Sequence, residues 1–135
     1  MDTSEQYIHQ CDCPEIQEGW RYKAGDYYFV LFGDSPSKEY FFTQSIISVL
    51  GEQEDIPRKN VVKLAWLPRQ DQIQELLIGK IGPSWRDVSD LIDRFNDWYY
   101  FQGMDTELTS MEKVWLAFYM KENGKVWNGK EWVNE

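Results

Sequence analysis

The chain is 135 residues long, carries a formal net charge of −9 from 14 basic and 23 acidic residues, and is 16% aromatic. That length reads as a single domain, 1–135, able to bury one core. The acidic balance repels phosphate backbones and anionic lipid, so neither direct nucleic-acid binding nor membrane association is expected.

No apolar run approaches the roughly eighteen residues of a membrane span. The opening MDTSEQYIHQ has no basic segment followed by an apolar one, as a signal peptide would. The expected location is cytoplasmic. Each of the many large rings can remove about 150–250 Å² from water, so few other side chains are needed to hold a core.

In chain order, residues 1–19 are polar and are expected to lie as an arm over the domain. Trp20 and Tyr22 lead into Gly25-Asp26 and then Tyr27-Tyr28-Phe29-Val30-Leu31-Phe32, whose apolar, aromatic run between turn signals predicts a strand. Residues 33–37 form a turn cluster in which Pro36 bars a continuous ladder. Residues 40–50, with Ile46, Ile47 and Val49, predict a second strand. The charged stretch 51–59, with Pro57, predicts an exposed hairpin loop, and Val61 to Trp66 a third strand. The simplest connection of the three is an antiparallel meander.

Helices follow. Leu67-Pro68-Arg69 marks the change, with proline in the first turn, Ile73, Leu76 and Leu77 at helical spacing, and Gly79 and Gly82-Pro83 ending a helix near 69–78. Ser84 and Asp87 form a capping box for a helix over 84–99. Trp85, Val88, Leu91, Ile92, Phe95, Trp98 and Tyr99 share one face of it; Asp87, Asp90, Asp93, Arg94 and Asp97 share the other, with Asp90 and Arg94 placed for an i,i+4 pair. Gly103 ends this helix, or the chain is already extended from Trp98 onward.

The stretch Thr109 to Gly124 organises the rest. Thr109 and Glu112 read as a capping box, Gly124 as a left-handed C-terminal cap, and Val114 through Met120 is unbroken apolar sequence. A helix over 110–122 with no wet face is expected at the centre of the core. Asn128-Gly129, between Trp127 and Trp132, predicts a closing hairpin. The fold class is therefore α+β: a three-stranded antiparallel sheet from 27 to 66, covered by about three helices, with a C-terminal β-hairpin.

Residues able to carry chemistry are few. His9, Cys11 and Cys13 put three soft ligands within five residues, but the chain has no other His or Cys to complete a zinc site. Neither a metal nor a cofactor is assigned, and both cysteines are expected as free thiols. There is no Gly-x-Ser-x-Gly elbow and no phosphate-cradling glycine loop. Paired acids such as Asp87 and Asp90 fall on a solvated helix face. Trp20, Tyr22, Trp127 and Trp132 lie at strand or hairpin ends and are the candidate partner-binding residues, since Trp and Tyr dominate protein–protein hot spots. The competing expectation for each ring is that it packs the rim of the core.

The stretches Trp66-Leu67-Pro68-Arg69-Gln70-Asp71-Gln72-Ile73, Ser110 to Phe118 and Gly124 to Gly129 resemble small hypothetical proteins encoded in bacteriophage and prophage genomes. The Trp-Leu-Pro turn into a helix also resembles a phage α/β sandwich domain of unassigned function, from which the acidic helix 84–99 departs. The resemblance covers the second half of the chain better than the first. It implies a phage-derived cytoplasmic protein, and it carries over no activity and no functional residue.

Three functional expectations follow. The first is a small non-enzymatic interaction protein with a protein partner. The second is an acidic inhibitor that imitates nucleic acid on a host DNA-binding protein, which requires carboxylates gathered on one face. The third is a hydrolase using carboxylates and His9, which requires that histidine in a cleft.

Overall fold

The structure, a computed structural model, describes residues 1–33, 44–51, 56, 59–81, 84–102 and 108–135. They form two units, one of Thr3–Pro68 and one of Met1–Asp2 with Arg69–Glu135. Among the described residues, five helices, a three-stranded antiparallel sheet and a C-terminal hairpin make an α+β fold.

The first unit opens with two helices where a polar arm is expected, α1 (Glu5–Cys11) and α2 (Pro14–Gln17). Ser4 caps α1 by accepting the Tyr7 N–H at 3.2 Å. Tyr7, Cys11 and Ile16 are fully buried, and the Tyr7 hydroxyl donates to the Pro68 carbonyl at 2.5 Å. Tyr7, Gln10 and Cys11 recur at i, i+3, i+4, so a short apolar seam folds this segment down. The polar residues between them are its wet side.

The sheet comprises β1 (Tyr27–Phe32), β2 (Gln44–Val49) and β3 (Val61–Leu67) in the order β2-β1-β3. This is not the expected meander, because β1 is central and antiparallel to both neighbours. Its uninterrupted apolar sequence suits the position flanked on both sides, whereas β2 carries Gln44, Ser45 and Ser48. β2 and β3 are therefore opposite edges of the sheet and do not form the expected hairpin with each other; Ile56 is buried. The expected turn at 34–37, the start of the second strand at 40–43, and residues 52–55 and 57–58 lie outside the described residues.

Alternation sorts the sheet's faces. Tyr28, Val30 and Trp66 are buried on one face, where the Trp20 ring stacks parallel on Trp66 with centroids 6.2 Å apart. On the other face, Ala65 and Leu67 of β3 are fully buried, while Ile47 and Val49 of β2 are exposed.

The second unit is helical. α3 (Gln70–Ile81) runs past Gly79, which sits inside the helix rather than ending it. Pro68 precedes the helix, and Gln72 accepts the Arg69 N–H at 2.9 Å to close its first turn. α4 spans Trp85–Gln102, three residues beyond 99, so the chain is not extended from Trp98 onward; Gly103, the other expected end, lies outside the described residues. Ser84 accepts the Asp87 N–H at 3.2 Å, so the predicted cap forms. The expected Asp90–Arg94 pair does not; Arg94 reaches Glu122 at 3.2 Å instead.

α5 (Met111–Glu122) buries Val114, Trp115, Leu116, Phe118, Tyr119 and Met120. Its N-cap is Ser110 and not Thr109: the Ser110 hydroxyl accepts the Lys113 N–H at 3.2 Å. Glu112, expected to complete the box with Thr109, pairs with the terminal amine of Met1. Thr109 accepts from Lys113 Nζ at 2.9 Å. Lys113 also faces Asp2 at 3.7 Å, and both side chains are buried. Gly124, at φ +73°, supplies the left-handed turn after the helix as expected. β4 (Lys125–Trp127) and β5 (Trp132–Asn134) pair antiparallel. Their turn spans four residues, not two, because only Gly129 takes positive φ. Asn128 acts through its side chain, accepting the Lys130 and Glu131 N–H groups at 2.9 and 2.8 Å.

Candidate interaction surface

Trp20 and Tyr22 meet edge to face, with centroids 4.4 Å apart. Trp20 is buried and its indole N–H donates to Asp26 at 2.9 Å, so ring and donor are both engaged inside the unit. Tyr22 is 57% exposed. Trp127 and Trp132 face each other across the hairpin at 5.1 Å and 63°, both half-buried, and the Trp127 indole N–H is buried with no hydrogen-bond partner among the described residues. Of the four candidates, only Tyr22 presents most of its surface to solvent.

His9 is exposed on α1, 3.9 Å from Glu5. Cys11 and Cys13 are buried and are not joined in a disulfide, and Cys13 is pushed up to about 12 by desolvation, against a lowering hydrogen bond from the Ile16 backbone. Burial that keeps the Cys13 thiol neutral makes it a weak nucleophile in the folded chain. Among the described residues no group of three or more His, Cys, Asp or Glu is arranged to hold a metal ion.

The most exposed rings among the described residues lie elsewhere, at the end of α4. Tyr100 and Phe101 are 83% and 82% exposed and meet edge to face at 5.7 Å. They do not belong to the helix's apolar seam. That seam is Val88, Leu91, Phe95 and Trp98, with Phe95 stacked on Trp115 at 3.9 Å and set against the edge of Phe118. Ile92 and Tyr99, expected within it, are exposed on its flank.

At 3.6 residues per turn, Asp90, Asp93, Asp97, Tyr100 and Phe101 stand at i, i+3, i+7, i+10 and i+11, which is one side of the helix. All five are exposed. Arg94, also on this side, is drawn to Glu122. Beside the row, Asp87, Asp90, Asp93 and Arg94 line a shallow open depression of roughly 450 Å³. The surface is thus a row of carboxylates ending in two solvated rings.

Sequence reasoning left the helix end open between Trp98 and Gly103, carried the helix only to residue 99, and so did not name Tyr100 and Phe101 as candidates. The available signal was that no breaker occurs before Gly103. Carrying the helical period three residues further puts both rings on the charged side.

No helix among the described residues is long and apolar enough to cross a membrane. Comparison of the chain with known protein families, characterised proteins and solved structures finds no match.

Proposed function

We propose that this protein is a small interaction module that docks α4 into an apolar groove with a basic rim on a partner protein. The observation that carries the reading is the Tyr100–Phe101 pair, two aromatic side chains held in water on the charged side of a helix. Helices recognised in grooves offer apolar anchors, and buried aromatic anchors supply most of the energy of such contacts. Asp90, Asp93 and Asp97 on the same side add charge complementary to Lys or Arg at the rim. The phage or prophage origin in this reading, and its cytoplasmic setting, rest on the sequence resemblance.

The test is retention of partners from cell lysate by the native chain and by a chain carrying Tyr100→Ala with Phe101→Ala. The native chain should retain a protein whose binding weakens with salt and is lost in the variant. Retention of nothing, together with turnover in a broad hydrolase screen, would overturn the reading.

A second reading is that the carboxylate row imitates a phosphate backbone. It is favoured by the exposure of Asp90, Asp93 and Asp97 along one side. It predicts that a basic DNA-binding protein retained by this chain is released by duplex DNA, and that Tyr100→Ala with Phe101→Ala leaves that binding intact.

A further inference from the structure

The two edges of the sheet are treated differently. On β3, Gln17 turns its amide onto Trp66, accepting the Trp66 N–H at 2.8 Å and donating to the Trp66 carbonyl at 3.0 Å. Beside it, Lys63 pairs with Asp12. A closed backbone and a charged side chain are the means by which edge strands avoid pairing with other chains.

β2 shows neither device. Leu50 donates to the Asp26 carbonyl at 2.8 Å, so in the antiparallel alternation the even-numbered residues of β2 bond to β1. Ser45, Ile47 and Val49 then direct their backbone groups outward. Among the described residues no strand pairs with that outer row. Gln44–Val49 holds no charge and no proline, in a chain of net charge −9. Ile47 and Val49 are 39% and 43% exposed.

We infer that a second copy of this chain pairs with β2, antiparallel, about a two-fold axis at Ile47. That register is the one in which every outward residue meets an outward residue: Ile47 opposite Ile47, and Ser45 opposite Val49 on either side. The contact is isologous, so each copy donates and accepts the same backbone groups. It sets no like charges opposite one another, which a contact between most other surfaces of so acidic a chain would do. Two three-stranded sheets become one of six strands, and the exposed Ile47 and Val49 face is continued into its copy.

Sedimentation of the native chain over a concentration series tests this, with a species of twice the 16.1 kDa chain mass expected. Ile47→Lys should remove that species while far-UV circular dichroism and melting stay native. Register is read by cysteine. In the inferred pair the two Ile47 Cα atoms are about 5.5 Å apart, within the roughly 4.4–6.8 Å a disulfide spans. The two Val49 positions are about 13 Å apart along the strand. I47C should therefore give a disulfide-linked dimer on mild oxidation, while V49C and the native chain, whose own cysteines are buried, should not. A single-chain mass at every concentration, a dimer that persists in I47K, or V49C linking as readily as I47C would each overturn the inference. If I47K fails to fold, the native mass and the I47C against V49C comparison still decide it.

Discussion

Gln17 stands in for a missing strand beside Trp66. Its side-chain amide makes both hydrogen bonds that a neighbouring residue in a ladder would make, at 2.8 and 3.0 Å, and a further one to the Cys11 carbonyl at 2.8 Å. Trp66 is buried, so its backbone groups have poor access to water once the amide is removed. Gln17→Ala should lower unfolding stability by about 1–3 kcal/mol. Gln17→Glu should do no better, because a carboxylate can accept the Trp66 N–H but places charge against two carbonyl oxygens. Urea melts of the three proteins check this, and equal midpoints for Gln17→Ala and the native chain would refute it.

Two adjacent hydroxyls compete to start α5. Ser110 takes the capping role, and Thr109 holds the Lys113 ammonium instead. Ser110→Ala should cost about 1 kcal/mol, the usual loss for a cap, and also releases the Asp2 carboxylate that the hydroxyl bonds. Thr109→Ala should cost less, since Lys113 keeps Asp2 as its partner. Thermal melting of the two variants ranks them, and the opposite order would make Thr109 the cap.

Gly79 and Gly129 should respond to alanine with opposite signs. Neither has a heavy atom within 4 Å of where a Cβ would stand, so backbone conformation alone decides. Gly79 is inside α3, where alanine is favoured by about 0.5–1 kcal/mol. Gly129 has φ +96°, a region that L side chains rarely adopt, so Gly129→Ala should destabilise. Melting temperatures that move the same way for both would contradict this.

What the sequence disclosed divides by range. Val114 to Met120 announces a buried helix because an unbroken apolar run leaves no wet side, and β1 is bounded as expected, Tyr27–Phe32. Strand order was illegible, since the central place of β1 depends on pairings with residues up to 40 positions away, as in Tyr27 with Leu67. The capping choice was misleading for the same reason: Thr109-x-x-Glu112 fits the capping-box pattern and Ser110-x-x-Lys113 does not, yet Glu112 and Lys113 are engaged by the sequence-distant Met1 and Asp2. The N-terminal helices were hidden by dilution, three seam residues among polar ones. The surface on α4 was half legible. Its carboxylates were placed correctly, and its two rings were passed over because the helix end was left open between Trp98 and Gly103.

The rings at the end of α4 predict a separation of binding from stability. Tyr100 and Phe101 are mostly solvated, so replacing both by alanine should change stability by no more than about 0.5 kcal/mol. Phe118, fully buried among Phe95, Trp98 and Trp115, should cost about 3–5 kcal/mol when cut to alanine. Denaturant melts set beside partner retention distinguish the roles. A large stability loss from the α4 pair would make those rings part of the fold and remove the ground for the docking surface.

Cys13 sets a pH limit of known sign. Burial raises its ionisation from 9.0 to about 12, so in the folded chain the thiol stays neutral where an unfolded chain's would ionise. Below about 9 both states hold the proton and burial of the neutral thiol adds no pH dependence. Between 9.0 and about 12 the unfolded state loses its proton first, and stability should fall as pH rises through that window. Cys13→Ala should flatten this part of the stability profile. A maleimide, which reacts with thiolate, should label Cys13 at pH 8 only as fast as the chain opens, and mild urea should accelerate it. Rapid labelling of the folded chain would mean that the thiol is ionised in place and that its burial does not control its chemistry.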